Sequence, residues 1–281
     1  MKPSWRASHW NACLQCPDPG VPGALRQLSV ATYNIHKGFS FTPLLARRPV
    51  LHALREELRV LNPDRVFLQE VVGEHTAHAA RHRDWPAQSQ YEYLADSLWR
   101  SHAYGKNAAY DAGHHGNALL SRYPITRWDN EDVSSHRFER RGLLHCEIAV
   151  PGWPDALHCV CVHLALTARG RGRQLQLLRQ RIERLVPPEA PLIVAGDFND
   201  WYWRHRATHE LAHPLNMHEV FELLKGAPAR SYPALFPVLR LDRIYVRGFT
   251  VREARVHHGP HWGKVSDHAP LTAQLERLVD R

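Results

Sequence analysis

The sequence lacks any apolar run approaching the roughly 20 residues that a membrane-spanning helix requires, so no transmembrane segment is expected. Residues 1–27 carry Lys2 and Arg6 but none of the apolar core, about 7–15 residues long, that marks a secretory signal. They are rich in Trp, Pro, Cys and Gly and read as an irregular tail. Cysteine is sparse: there are five, an odd number poorly placed for a disulfide framework. Cys159 and Cys161 alternate within one strand-like run and Cys146 sits in another, which makes all three core residues. Cys13-Leu-Gln-Cys16 is a lone C-x-x-C without a second pair, and chance in a tail explains it better than metal binding. A reducing, cytoplasmic home is the default for such a chain. No internal repeat is visible at the residue level.

What is present fits one large α/β domain or two small ones. At 281 residues, 44% of them hydrophobic, the chain is long enough to bury a sizeable core. The formal net charge is +8, with a pI near 9.5. That excess favours anionic partners: nucleic acid, phosphorylated metabolites or acidic lipid head groups. It indicates the sign of the partner and nothing more.

Strands and helices interleave. Leu28–Ile35 is β-rich and partly alternating, and His36-Lys-Gly-Phe-Ser40 breaks it. Leu51, Leu54, Leu58 and Leu61 recur at three- and four-residue steps, predicting a helix over 47–61 that Asn62-Pro63 stops. Arg65–Glu70 is the next strand. Residues 73–110 are polar and dense in His, Arg, Trp and Tyr, and read as a long irregular excursion. Gly116–Arg122, Leu143–Val150 and Leu157–Leu164 are further strands, the last two joined as a hairpin through Pro151-Gly-Trp-Pro154. Leu175, Leu178, Ile182 and Leu185 mark a second helix. A short helix near 217–225, a strand at Leu241–Arg247 and the closing stretch Val265–Ala273 complete the pattern, which calls for mixed sheets.

The run Leu192-Ile-Val-Ala195 suits a strand buried on both faces. It stops at Gly196, and Asp197 and Asn199 follow two apart, on the same side of an extended backbone. A carboxylate beside a carboxamide at a strand mouth holds a hard cation or a phosphate oxygen; Asp-Phe-Asn-Asp is also an ordinary turn sequence. Other strand ends decide between these. Asn34, Glu70, His163, Asp197, Asn199, Asp242, Asp267 and His268 each lie at or beside the end of a β-like segment, where loops build sites on a rigid scaffold.

These motifs occur in order: Thr32-Tyr-Asn-Ile35, Leu68-Gln-Glu70, Gly116-Asn117 with Ser121-Arg122, Val162-His-Leu164, Gly196-Asp-Phe-Asn199, Leu241-Asp-Arg-Ile-Tyr245 and Ser266-Asp-His268. The series resembles that of the endonuclease/exonuclease/phosphatase superfamily, the deoxyribonuclease I-like fold, over residues 28–276. The wording Tyr-Asn-Ile-His-Lys-Gly and His-His-Gly-Asn-Ala-Leu-Leu-Ser-Arg-Tyr-Pro is similar to a little-characterised bacterial branch. The resemblance implies one domain over 28–278 built as a four-layer α/β/β/α sandwich with two mixed sheets. It implies a Mg²⁺-dependent phosphoester hydrolase, with Mn²⁺ as the alternative ion.

Residue by residue, Glu70 matches the principal metal carboxylate with Asn34 beside it, and Asp267 a further metal-side carboxylate. Asp197 and Asn199 match the pair that orients the attacking water and holds the phosphate. His268 matches the imidazole at phosphorus and Asp242 its carboxylate partner. His163 matches a second active-site histidine, and Arg122 a phosphate-contacting arginine. Asn117 falls in the same motif as Arg122 and is expected at the substrate. The chemistry suits these types: Mg²⁺ takes oxygen ligands and keeps several waters, and a histidine exchanges protons near neutral pH.

For the substrate, Trp201, Tyr202, Trp203, Arg204 and Arg206, with His261, Trp262 and Lys264, interleave rings and cations as stacked bases and a phosphate backbone require. Nucleic acid is the favoured partner. A phospholipid head group or small phosphorylated metabolite is the alternative, and a non-catalytic scaffold the remote one. Asn34 is followed by Ile-His-Lys-Gly, whereas the apurinic-site and exonuclease III branch carries Asn-Val-Asn-Gly, which weakens a base-excision reading.

Overall fold

A computed structural model describes residues 25–40, 48–75, 81–82, 85–135, 139–201 and 206–278. Cys13, Cys16, Tyr202, Trp203 and Arg204, with most of the expected tail, lie outside the described residues, as does the side chain of Arg206. The first half of the chain forms β1 (Gln27–Asn34), α1 (Leu51–Leu61), β2 (Arg65–His75), α2 (Gln90–Ala95), β3 (Ser101–Tyr110), β4 (Gly113–Ser121) and β5 (Ile125–Asp132). Then come β6 (Gly142–Ile148), β7 (Leu157–His163), α3 (Ala168–Leu185), β8 (Leu192–Asp197), α4 (Arg206–Ala212), β9 (His218–Glu219) and α5 (Val220–Lys225). The chain closes with β10 (Asp242–Arg247), β11 (Phe249–Val256) and β12 (Leu271–Arg277).

Two six-stranded sheets result, ordered β11-β12-β1-β2-β4-β3 and β5-β6-β7-β8-β10-β9. Both are mixed, with parallel pairing at their centres, between β1 and β2 and between β7 and β8. Period-two alternation decides what each strand buries. Val30, Phe67, Cys146, Cys159, Cys161, Ile193, Ala195 and Ile244 point between the sheets and form one core. The alternate positions face outward beneath helices. Leu51, Leu54 and Leu58 of α1 cover Ala31, Tyr33, Val66 and Leu68. Leu175, Leu178 and Ile182 of α3 cover Val160, Val162 and Val194. Burying each such leucine contributes about 2 kcal/mol. The layers are therefore helix, sheet, sheet, helix.

Several expectations need correction. The stretch 73–110 is not an irregular excursion: it holds the end of β2, then α2 and β3. Ser101–Tyr110 has few β-branched residues, and its strand state comes from pairing with β4 along its length rather than from propensity. β5 and β11 are edge strands that went unread; β5 is largely exposed and polar, which erases the alternation. The first described turn of α1 starts at Leu51, and left-handed Asn62 ends it before Pro63. Within the closing stretch, residues 265–270 form a loop that leads into β12. Among the described residues, no helix is long and apolar enough to cross a membrane.

Candidate active site

The same alternation that fills the core ends in polar residues at one end of the sandwich. Asp197, the last residue of β8, continues the inward series Ile193, Ala195; His163 continues Cys159, Cys161; and Asn34 continues Val30, Thr32. Parallel pairing sets His163 opposite Asp197. Antiparallel pairing sets Asp242, the first residue of β10, on the other side of Asp197. One row across three strands thus carries His163, Asp197 and Asp242, all buried. Gly196 permits this row to close. Its φ is +151°, and a Cβ there would lie 1.9 Å from the Val162 carbonyl oxygen on β7.

Asp197 Oδ2 is the focus. Asn34 Nδ2 donates to it at 3.1 Å across the sheet interface. His163 Nε2 lies 3.6 Å away and His268 Nε2 3.7 Å away. The other oxygen, Oδ1, accepts from the backbone N–H of Asn199 at 2.9 Å. Asn199, at φ 50°, donates its side-chain amide to the Leu164 carbonyl at 2.9 Å. Its amide hydrogens therefore hold the loop that aims Asp197.

His268 is held from behind. Its Nδ1 lies 2.9 Å from Asp242 Oδ2, which also accepts from Ser231 Oγ at 2.5 Å. The ring of Tyr232 meets the imidazole edge-on at 5.1 Å between centroids. Burial opposes charge on His268, but the carboxylates of Asp242 and Asp197 outweigh it and raise its pKa to about 10. Burial also raises Asp197, to about 7, against the pull of His268. His163 goes the other way, far below the ordinary imidazole value, through burial and the charges of Arg141 and His268. At neutral pH His268 is an imidazolium and His163 a neutral ring.

The first sheet supplies the acid side. Glu70 sits one residue beyond Gln69, the partner of Asn34, where the β2–β4 register shifts between Leu68 and Val71. The irregularity holds Glu70 at φ 56°, a left-handed conformation that is strained for a residue with a side chain. Half-buried, its carboxylate has no hydrogen bond or ion pair among the described residues. Asn34 Oδ1 accepts from the His36 N–H at 3.1 Å, and the His36 ring lies 3.4 Å from Asp267 Oδ1. Asn34 thus turns its amide toward Asp197 and its oxygen toward the Asp267 side. With a carboxylate that no described residue engages, Glu70 could join the oxygens of Asn34 and Asp267 in an all-oxygen donor set, the kind that suits a hard divalent cation. Asp197, Asp242 and His268 also lie close enough together to hold an ion. There the His268 imidazole pairs with Asp242 at 2.9 Å.

Beneath the row lies a polar floor. Gln69 Nε2 reaches Thr32 Oγ1 and Cys161 Sγ, each at 3.3 Å. Asn117 is buried, with its amide on the carbonyls of Gly142 and Cys161 at 3.1 and 3.3 Å. It ties the two sheets together, and its donors are engaged. Arg122 does not reach the site. β4 runs antiparallel to β2, so its C-terminal end lies at the foot of the sandwich, where Arg122 contacts Asp64 and Asn62. Trp201 is at the rim and 47% exposed. Trp262 packs on Tyr33 and His257. Residues unforeseen as partners are Ser231, Tyr232, Arg141 and Lys37. Lys37 and Arg141 both bear on His163 and on His115, whose pKa falls to about 4 through burial and then the Lys37 charge. None of the four ends an alternating run, so no periodicity marks them.

The profile of the Endonuclease/Exonuclease/phosphatase family matches residues 31–268. The uncharacterized protein YbhP of Escherichia coli strain K12 is 45% identical over 257 residues, 91% of this chain and 99% of YbhP. The catalytic domain of human Nocturnin, solved with a bound sulfate anion, superposes with a TM-score of 0.70 at 20% identity, covering 91% of this chain and 96% of that one. Danio rerio TDP2, complexed with a single-strand DNA product, gives 0.64 at 20% identity, covering 89% and 99%. Together the two mixed sheets, the row of acids and imidazoles at their common end and the matched profile have one explanation: this chain belongs to the endonuclease/exonuclease/phosphatase family.

Proposed function

We propose that the protein is a divalent-metal-dependent phosphodiesterase whose substrate is nucleic acid. The observation that carries this reading is the convergence of Asn34, His163 and His268 nitrogens on one oxygen of Asp197. A phosphoryl oxygen entering beside Asp197 would meet the Nε2 atoms of His163 and His268, which lie beyond hydrogen-bond distance of that carboxylate, and donors placed in this way stabilise charge that develops during displacement. Asp197, raised to about 7, takes the proton of the attacking water. His268, held as an imidazolium by Asp242, faces the phosphoryl oxygens as a fixed positive charge. This reading gives the base role to Asp197, which the resemblance already sets at the attacking water, rather than to a histidine. Neutral His163 donates a hydrogen bond and does not act as the acid. Glu70, Asn34 and Asp267 would hold Mg²⁺ or Mn²⁺, which when bound neutralises charge on the phosphate and on the leaving oxygen.

Nucleic acid is favoured by the cations Lys37 and Arg141 at the mouth and by the exposed ring of Trp201 two residues beyond Asn199, an arrangement that tracks a backbone and stacks a base. The DNA product bound to TDP2 supports the same choice. A lipid head group is a second reading, favoured by exposed apolar side chains beside the mouth at Leu235 and Phe236. The test is hydrolysis with Mg²⁺ of plasmid DNA, a single-stranded oligonucleotide and phospholipid in parallel, with Glu70→Ala/His268→Ala as the blank. Metal-dependent DNA cleavage absent from the blank is expected. Wild-type turnover by Asp197→Ala or His268→Ala alone would refute the mechanism.

A further inference from the structure

Water contact is costly for large apolar side chains, and exposed clusters of them mark contact surfaces. Leu235, Phe236 and Val238 are 59, 75 and 50% exposed within four residues. They crown a closed loop: Tyr232 and Leu239 pair across its base, Val238 N–H donates to the Tyr232 carbonyl at 2.8 Å, and Phe236 N–H donates to that of Pro233 at 3.1 Å. The loop is built in. Ala234 N–H donates to the Asp267 carbonyl at 2.7 Å and its own carbonyl accepts from Gly259 at 2.8 Å. Leu235 lies so close to Gly263 that a Cβ on the glycine would come within 3.1 Å of the leucine Cβ.

Cations bracket the loop. Arg230 and Arg240 flank the loop in sequence, and exposed Lys264 lies in the same turn as Gly263. The acid bearing on Arg240 is Glu222, against the like charges of Arg230 and Arg243. An apolar tip leading and cations following is the order of a bilayer interface, acyl chains first and head-group phosphates next. Two of the three side chains at the tip are aliphatic and offer bases nothing to stack on, whereas all three, Phe236 included, suit acyl chains.

We propose that loop 233–238 is a membrane-docking element that inserts Leu235, Phe236 and Val238 into an anionic bilayer surface, with Arg230, Arg240 and Lys264 at the lipid phosphates. Its root is joined to the site through Ser231 on Asp242 and Tyr232 on His268, so docking brings the mouth to the membrane plane. The element stands whether or not the hydrolase reading does, because binding is read without turnover.

The experiment is co-sedimentation of the full chain, in EDTA, with vesicles of phosphatidylcholine alone and of phosphatidylcholine mixed with phosphatidylglycerol. Wild type is expected to bind the anionic vesicles, less so in high salt. Leu235→Ser/Phe236→Ser is expected to lose at least about tenfold in partitioning, with an unchanged thermal melt because both side chains are exposed. Arg230→Glu/Lys264→Glu is expected to bind more weakly as well. No binding by wild type, or equal binding by the serine variant, would overturn the proposal. So would a serine variant that keeps vesicle binding but loses single-stranded DNA binding, or one that only abolishes self-association in sedimentation velocity.

Discussion

Replacing Glu70 with glycine and, separately, with alanine tests the backbone that presents the acid. Both substitutions remove the carboxylate, so their difference in stability reports φ alone. In a regular strand alanine is the more stable of the two by about 0.5–1 kcal/mol, because glycine loses more chain entropy on folding. At φ 56° the alanine Cβ meets the following carbonyl, at a cost of about 1–2 kcal/mol that glycine does not incur. The two effects oppose each other and the second is larger, so Glu70→Gly should exceed Glu70→Ala in stability by about 1 kcal/mol. Urea unfolding reads this as a higher midpoint at unchanged slope. Both variants should lack metal-dependent turnover. Alanine proving the more stable, as in an ordinary strand, would show that residue 70 is not left-handed and would remove the argument that strain marks it as functional.

Gly196→Ala should cost about 3 kcal/mol or more, from backbone strain and a clash with a carbonyl that cannot rotate away, and should separate His163 from Asp197; an unchanged melting temperature with full activity would refute the close approach of β7 and β8. Glu219 is buried with one unpartnered oxygen, and burial lifts its pKa from an ordinary 4.5 to about 7. The folded state therefore binds this proton more tightly than the unfolded chain: the stabilisation is complete below pH 4.5 and is lost as pH rises through about 7. At about 1.36 kcal/mol per unit the interval is worth about 3 kcal/mol. Glu219→Gln should thus gain on wild type between those pH values, and a pH-independent difference in unfolding free energy would contradict the burial.

The candidate site was legible because it prolongs the core. Asn34, His163 and Asp197 end runs whose earlier inward positions are mostly apolar, and Asp242 opens a run whose later inward positions, Ile244 and Val246, are apolar, so the alternation that builds the sandwich also identifies where it opens. Arg122 shows what adjacency in sequence omits. A polar residue after a strand reaches the mouth only if the strand points that way, and β4 runs opposite to β2. Ser231 and Tyr232 were invisible for another reason: they come to His268 on a loop whose path depends on contacts with residues 259–269. β3 was missed because its partner, not its composition, makes it a strand.

The strand order has a consequence for the timing of synthesis. β1 lies between β2 and β12, and Ala31 pairs with Thr272, roughly 240 residues downstream. At a ribosomal pace of about 5–20 residues per second, one side of β1 waits roughly ten to fifty seconds for its neighbour. The whole second sheet emerges during that interval, before His268 exists to meet Asp242. The nascent chain therefore carries an open strand edge and an inert half-site, both of which close together when β12 docks.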